Sequence, residues 1–267
     1  MRRTIRIALA GLAVTAAACG GNSAPLSTTG PSPTVPPSAA CDAIGQTAGA
    51  IAIVNGAECT RVPSPVVKLN MRDNAGNALG GCSGTIIAPR AILTAAHCLD
   101  DNPGIVRVWL GSGPEITAES YAFHPSYNQN SSTALDVGIV RMAEDLVHPP
   151  IPVLTSRDAR TGETAIIAGW GRDETSEPSR LRAGSATVSA VGSTTLETQH
   201  TTNASSICLG DSGGPLLLQE SGRWAVAGIS SAATVATCNT GTNFYVNVRN
   251  STVMSYILGL VPEAATR

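Results

Sequence analysis

The chain has 267 residues, of which 43% are apolar and 13% are charged, and this balance predicts a folded core and excludes a disordered protein. Aromatic residues make up only 3% of the chain, so Val, Ile, Leu and Ala must fill that core. The formal net charge of -2 offers no basic patch, so we expect no nucleic-acid partner.

Residues 1–18 have the pattern of an export signal. Arg2, Arg3 and Arg6 precede the apolar run Ile7–Ala18, which is too short to span a bilayer as a stable helix. This segment is therefore left out of the prediction of the fold, and its presence predicts an extracytoplasmic protein.

Two processing routes fit the sequence Ala-Ala-Ala-Cys-Gly at residues 16–20. A signal peptidase could cut after the Ala-x-Ala pattern, and Cys19 would then be an ordinary cysteine. Alternatively Cys19 is the lipid-modified first residue of the mature chain, because the segment resembles the signals of bacterial lipoproteins. We therefore expect either a secreted protein or one anchored to a membrane through Cys19 alone.

The segment 19–52 is predicted to be a tether or propeptide. Gly20–Pro37 is rich in Ser, Thr, Pro and Gly, a composition that cannot bury enough apolar surface to fold. Such a spacer would hold the following domain, residues 53–267, away from a membrane surface.

Seven cysteines in an exported chain leave one without a partner. With Cys19 set aside as the lipidation site, the other six can form three disulfides in an oxidising compartment. Fifteen connectivities are open to six cysteines. No Cys-x-x-Cys or His-x-x-x-His pair is present, so we expect no zinc site and no other metal or cofactor. The six are Cys41, Cys59, Cys82, Cys98, Cys208 and Cys238.

From Ile51 onward the chain contains many short β segments separated by Gly, Pro, Asn and Ser. Examples are Val66–Leu69, Ile105–Leu110, Thr164–Ala168 and Tyr245–Val248. Short strands at regular spacing with frequent turn residues indicate an all-β barrel or sandwich. Only Ser251–Leu260 has convincing helical periodicity.

Three segments carry residues suited to nucleophilic catalysis. Leu93–Cys98 delivers His97 at the end of an apolar strand, Leu135–Val140 places Asp136 before another, and Gly210–Pro215 holds Ser212 in a glycine-rich turn. A serine hydroxyl needs an adjacent base, histidine titrates near the working pH, and a buried carboxylate can orient the imidazole.

These segments, in the order His, Asp, Ser, resemble the signatures of the chymotrypsin/trypsin family of serine proteases. The resemblance covers about 215 residues, from Ile53 to the C-terminus. It implies two six-stranded antiparallel β-barrels with a C-terminal helix, and a monomeric endopeptidase that acts on proteins or peptides. The implied catalytic triad is His97, Asp136 and Ser212.

The resemblance also implies roles for residues around the triad. The N–H groups of Gly210 and Ser212 would form the oxyanion hole. Ser231 would donate a hydrogen bond to Asp136 from behind, although it could equally be a plain strand serine. Two disulfides are implied, Cys82–Cys98 at the histidine loop and Cys208–Cys238 at the substrate pocket.

Activation is expected at Ile53, because Ile53–Gly56 resembles the mature N-terminus of the family. There the new ammonium pairs with the aspartate before the catalytic serine, here Asp211. Alternatively Ile53 belongs to an ordinary first strand. Ala52 stands where a trypsin-activated zymogen has Arg or Lys, so we expect cutting by an enzyme that prefers small residues, and this enzyme acting on itself is one candidate. A Cys41–Cys59 bridge would then keep the propeptide attached.

The residues of the primary pocket predict specificity for small or medium uncharged side chains. Ser206 replaces the aspartate with which trypsin-like enzymes bind Arg or Lys, while Ala233 and Asn243 stand where the family commonly has glycine. Ser231 lies on the same wall of the pocket. The alternative function is that of an inactive or zymogen-like homologue acting as a binding protein at the cell surface.

Overall fold

The computed structural model describes most of the chain after residue 35. The predicted signal peptide, Cys19 and Ile53 lie outside the described residues. The described ranges are 36–45, 48–51, 56–59, 63–131, 135–172, 180–201, 204–234, 238 and 240–267.

The first described segment packs onto the domain that follows it. Helix α1 (Pro37–Asp42) precedes strand β1 (Ala48–Ile51), which pairs antiparallel with β2 (Ala57–Cys59). Ala40, Cys41 and Ile44 are at most 1% exposed and belong to the main hydrophobic core. Residues from the segment assigned to a tether or propeptide are therefore part of the folded unit.

A curled, seven-stranded antiparallel sheet forms the N-terminal half of the domain. Its spatial order is β7-β6-β3-β4-β5-β9-β8. The side chains of Leu69, Ile86, Ile92, Val108 and Ile139, which lie on its strands, are buried in the main hydrophobic core. The sheet comprises β3 (Val66–Arg72), β4 (Ala78–Ala88), β5 (Ala91–Thr94), β6 (Ile105–Trp109), β7 (Ile116–Thr117), β8 (Ser120–Phe123) and β9 (Gly138–Arg141).

The C-terminal half is a closed barrel of six antiparallel strands. The pairings run β10-β13-β14-β15-β12-β11 and return from β11 to β10, while β2 adds to the outer side of β11. Leu154, Ile167, Leu196, Leu216 and Tyr245 fill its interior. The strands are β10 (Thr164–Gly169), β11 (Arg182–Val191), β12 (Thr195–Gln199), β13 (Pro215–Glu220), β14 (Arg223–Ala233) and β15 (Thr242–Asn247).

Helix α2 (Ser251–Leu260) closes the domain and has the bounds that the sequence predicted. The Asn250 side chain accepts hydrogen bonds from the N–H groups of Thr252 and Val253, which satisfies donors that a helix start leaves open. Val253 and Ile257 lie four residues apart and form the buried face of the helix.

The predicted all-β, chymotrypsin-like fold with a C-terminal helix is confirmed. It differs from the expected pair of six-stranded barrels in the first half, where seven strands form a curled sheet in the described part of the chain. Within the described residues, no helix is long and apolar enough to cross a membrane.

Candidate active site

His97 lies where the apolar strand β5 ends. A short 3₁₀ turn, Ala96–Cys98, follows that strand and presents the imidazole with 30% of its side chain exposed, while Ala96 and Cys98 are buried. The Cys82–Cys98 disulfide fastens the turn to β4. The backbone around His97 is therefore fixed by a covalent bond and by packing on both sides.

Asp136 is 2% exposed and is hydrogen-bonded to both partners that the sequence analysis assigned to it. Its Oδ1 accepts from the backbone N–H of His97 at 2.8 Å, and its Oδ2 lies 2.8 Å from His97 Nδ1. The Ser231 hydroxyl donates to Oδ2 at 2.5 Å. The carboxylate thus fixes the imidazole, and the Ser231 hydroxyl holds the same oxygen that faces Nδ1.

The backbone before Asp136 has an unfavourable conformation. Leu135 has a φ of 59°, in the left-handed region that costs a residue with a Cβ about 1 kcal/mol or more. The N–H of Val137 donates to the Leu135 carbonyl at 2.8 Å, which forms a tight turn directly before β9. This turn places the Asp136 carboxylate beneath His97.

Two opposing effects act on the pKa of His97. Burial lowers the pKa, but the hydrogen bond and charge of Asp136, together with the charge of Asp100, more than offset burial and raise it above 6.5. A raised pKa makes the imidazole a better proton acceptor once it is neutral. The site is therefore suited to general-base chemistry at pH values above the raised pKa of His97, where the imidazole is neutral.

Ser212 lies in the loop that leads into β13. The N–H of Ser83 donates to the Ser212 carbonyl at 2.8 Å, and the N–H of Gly213 donates to the Ser230 carbonyl at 2.7 Å. Within the described part of the chain the Ser212 hydroxyl makes no hydrogen bond to His97. Catalytic hydrogen bonds of this kind often tighten only when substrate binds.

The N–H groups of Gly210 and Ser212 are available to a ligand. Among the hydrogen bonds of the described residues, neither N–H has a protein acceptor. Gly210 has a φ of 97°, and its carbonyl accepts from the Ser83 hydroxyl at 2.9 Å. The Ser83 hydroxyl also accepts from the backbone N–H of Trp170 at 2.9 Å, so this one side chain joins the loop that carries Ser212 to the segment at Trp170.

Asp211 points away from the cleft into the protein interior. Its carboxylate accepts hydrogen bonds from Gly171 N–H and Cys208 N–H, both at 2.8 Å. A side chain at Gly169 or Gly171 would collide with this carboxyl group, so both positions require glycine. Burial raises the pKa of Asp211 to about 6, against the lowering effect of the two N–H groups and the charge of Arg182.

A cleft of about 320 Å³ opens beside Ser212. None of the described residues that line it is charged, and Ser231 and Ala233 are among them. The lining residues are Ile207, Cys208, Leu209, Ser212, Ser230, Ser231, Ala232, Ala233, Thr234 and Cys238.

Ser206 and Asn243 are buried beside lining residues of the cleft. The Ser206 hydroxyl donates to Asn243 Oδ1 at 3.1 Å, and Asn243 Nδ2 donates to Thr198 Oγ1 at 3.1 Å. Ser206 precedes Ile207 in the chain, while Asn243 is paired with Ala233 across β14 and β15. A neutral polar network is therefore buried directly behind the cleft.

The six described cysteines form the three pairs given in the sequence analysis. Cys41 is bonded to Cys59, Cys82 to Cys98 and Cys208 to Cys238. The sulfurs of Cys82 and Cys98 lie near His97, but they are bonded to each other and cannot act as thiolate ligands of a metal. Three disulfides are typical of an oxidising, extracellular compartment.

Two residues around the site had no local sequence signal. Ser83 follows a predicted disulfide cysteine, and its hydroxyl joins Gly210 to Trp170. Arg182 is a fully buried cation whose charge acts on Asp211, and no motif in the sequence singled it out. The contacts of Ser83 join segments about a hundred residues apart in the chain, and Arg182 and Asp211 are a few tens of residues apart. Only the fold therefore brings these residues together.

Comparison with known proteins identifies the family of the chain. Residues 53–255 match the trypsin family. Chymotrypsin-like elastase family member 1 of Macaca fascicularis is 28% identical over 234 residues, covering 77% of this chain and 88% of the relative. The Bos taurus protein of the same name is 30% identical over 205 residues, covering 66% and 77%. Melanization protease 1 of Drosophila melanogaster is 27% identical over 233 residues, covering 67% and 58%. The chain therefore belongs to the trypsin family of serine endopeptidases.

Proposed function

We propose that this endopeptidase acts through His97, Asp136 and Ser212 and cleaves after small or medium uncharged residues. The observation that carries the triad is the arrangement of Asp136, whose two carboxylate oxygens engage the backbone and the Nδ1 of His97, both at 2.8 Å. With Nδ1 engaged, Nε2 is the nitrogen left to accept a proton.

The reaction follows from these positions. Ser212 Oγ attacks the carbonyl carbon of the scissile bond while His97 Nε2 takes its proton, and the N–H groups of Gly210 and Ser212 stabilise the oxyanion. His97 then gives that proton to the leaving amine as the C–N bond breaks, which leaves an ester on Ser212. A water molecule, deprotonated by His97, hydrolyses the ester, and Ser212 regains its proton. Asp136 stays ionised throughout and stabilises the imidazolium.

The uncharged cleft supports the proposed specificity. A bound Arg or Lys would lose its hydration without gaining a counter-ion among the described lining residues. Ala233 lines the cleft, and the buried side chains of Ser206 and Asn243 lie behind the lining residues Ile207 and Ala233, where glycine in place of Asn243 would leave more space. Side chains about the size of Ala or Val should therefore be preferred.

The site offers no support for the alternative of an inactive binding protein. Each residue that the chemistry needs is present, and the N–H groups of Gly210 and Ser212 have no competing protein acceptor among the described residues. We also propose that cleavage between Ala52 and Ile53 activates the enzyme further, because a new ammonium group would gain most beside the buried carboxylate of Asp211.

Attachment of the propeptide is a second part of the proposal. Cys41 is bonded to Cys59, and helix α1 is packed in the core, so cleavage after Ala52 would leave two chains joined. Lipidation of Cys19 would then keep the active enzyme on a membrane. Intact mass with and without reductant tests the join, because release of the N-terminal fragment without reductant would contradict it.

A fluorophosphonate probe tests the triad. We expect one adduct per chain on the wild-type protein and none on S212A. As a matched control, S230A removes a neighbouring serine of the cleft and should still be labelled. Labelling that persists in S212A, or that is absent from wild-type protein already cut at Ile53, would refute the assignment. Peptide substrates that differ only in the residue before the cut test specificity, and fastest turnover after Arg would contradict it.

A further inference from the structure

Arg182 is a buried cation outside the proposed triad. It is the first residue of β11, lies opposite Gly169 of β10 and Glu58 of β2, and is only 2% exposed. Its Nη1 donates a hydrogen bond to the Gly171 carbonyl at 2.7 Å. Burying a guanidinium is costly, so its position calls for a nearby group that benefits from its charge.

Gly171 connects this guanidinium to the loop that carries Ser212. Its carbonyl accepts from Arg182, and its N–H donates to Asp211 Oδ1 at 2.8 Å. The other oxygen of Asp211 accepts from Cys208 N–H, also at 2.8 Å. Asp211 thus ties the start of the loop 208–212 to the segment at Gly171, and the positive charge of Arg182 favours its ionised form, which the hydrogen bonds require.

We propose that Arg182 is a positioning residue that acts as an internal counter-charge for Asp211 and makes Ser212 reactive before the chain is cut at Ile53. This inference rests on the proposed function. A free ammonium at Ile53 would add a second positive charge to that of the Arg182 guanidinium, so cleavage would increase activity without being required for it.

The geometry of the oxyanion site supports this inference. The N–H groups of Gly210 and Ser212 already lack protein acceptors in the described chain, and the Gly210 carbonyl is held by the Ser83 hydroxyl. The Ser212 loop therefore has the arrangement that the chemistry needs while β1 and β2 are still paired on either side of Ile53. A reactive uncut chain could also cut a second copy after Ala52, a small residue that suits the uncharged cleft.

The test uses the full chain carrying A52R, which prevents cutting by its own uncharged cleft and lets added trypsin cut before Ile53. Uncut and trypsin-cut forms are distinguished by their intact masses after disulfide reduction, and the rate of fluorophosphonate labelling is measured for each form. We compare A52R alone with A52R combined with R182K or R182Q. R157Q in the same background is the control, because Arg157 pairs with Glu163 and Glu220 away from the site.

We expect uncut A52R to be labelled within about 10-fold of the rate of its cut form, and R182K to stay within about 3-fold of A52R. R182Q should slow labelling of the uncut form by about 100-fold, the loss typical of a disrupted oxyanion site. Cutting should restore most of that loss, because the Ile53 ammonium supplies a second cation. A purely structural role would leave the cut form equally impaired.

Several results would overturn the inference. Labelling of the cut form with none on uncut A52R would reject it and leave the proposed triad standing. Equal labelling of uncut R182Q and uncut A52R would also reject it. Absence of labelling in both forms would reject the inference together with the proposed function. If R182Q does not fold, uncut A52R and R182K still decide the question.

Discussion

The two halves of the domain hold their parts of the site in different ways. The N-terminal sheet presents His97 and Asp136 at the ends of β5 and β9, neighbouring strands whose register is fixed by hydrogen bonds. The C-terminal barrel presents Ser212 on a loop, held by the buried carboxylate of Asp211 and by side chains from distant segments. The first half relies on backbone pairing, supplemented by the Cys82–Cys98 bridge, and the second relies on buried charge and polar contacts.

This difference teaches where the site is sensitive. A strand end keeps its position as long as the sheet is intact, so changes near His97 should act through the chemistry of the side chain itself. A loop held by a few buried polar groups can shift by about 1 Å when one of them is lost, and such a shift can cost about 100-fold in rate.

The largest effect should come from D136N. The amide keeps the shape of the carboxylate but cannot stabilise the imidazolium, so kcat/KM should fall by about 10⁴-fold with little change in thermal stability. Steady-state kinetics with one peptide substrate and a melting curve measure the two quantities. A loss below about 10-fold would show that Asp136 does not orient the catalytic base.

Removing one disulfide at a time compares the two halves directly. C208S/C238S and C82S/C98S should each lower the free energy of unfolding by about 2–5 kcal/mol. Only the first should also lower kcat/KM by about 100-fold, because its bridge holds the loop whose residue 208 N–H binds Asp211, whereas the pairing of β5 with β9 still anchors the strand before His97. Denaturant unfolding and kinetics on both variants test this, and equal kinetic losses would remove the distinction between the halves.

The stability of the uncut chain should depend on the protonation of Asp211. Burial raises its pKa from 3.8 to about 6, so the folded state binds the proton more tightly than the unfolded state. This contribution to stability is fully present below pH 3.8 and is lost as the pH rises through about 6, and it amounts to about 3 kcal/mol.

The variant D211N has no such titration. The difference in unfolding free energy between it and the wild-type uncut chain should therefore change by about 2 kcal/mol between pH 4 and pH 7. Denaturant curves at several pH values measure this difference. A difference that does not change with pH would mean that the carboxyl does not titrate in this range.

The smallest effect should be a change in specificity from N243G. Removing the Asn243 side chain enlarges the end of the cleft, so the ratio of kcat/KM for Phe over Ala before the cut should rise by about 10-fold. The matched control is N247G, because Asn247 lies on the same strand and donates to the Gly192 carbonyl away from the cleft. An unchanged ratio in N243G would show that Asn243 does not limit the pocket.

The sequence predicted the features that depend on local pattern. Short β segments between turn residues indicated the all-β fold, helical spacing of apolar residues placed helix α2, and the segments around His97, Asp136 and Ser212 placed the candidate site. The role of Arg182 was not predictable, because its effect depends on Gly171 and Asp211, which three different segments bring together. Helix α1 was missed because its Pro- and Ala-rich sequence has no amphipathic period, and it is stabilised by the bridge from Cys41 to Cys59.

The Cys41–Cys59 bridge has a consequence for where the enzyme can work. If Cys19 is lipidated, the disulfide keeps the catalytic domain covalently attached to the membrane-anchored segment even after cleavage at Ile53. A fully extended chain between Cys19 and helix α1 reaches at most about 60 Å, so substrates would be sampled only within a thin layer above the membrane. Release into the surroundings would then be controlled by a reductant, and not by the protease that performs the activating cut.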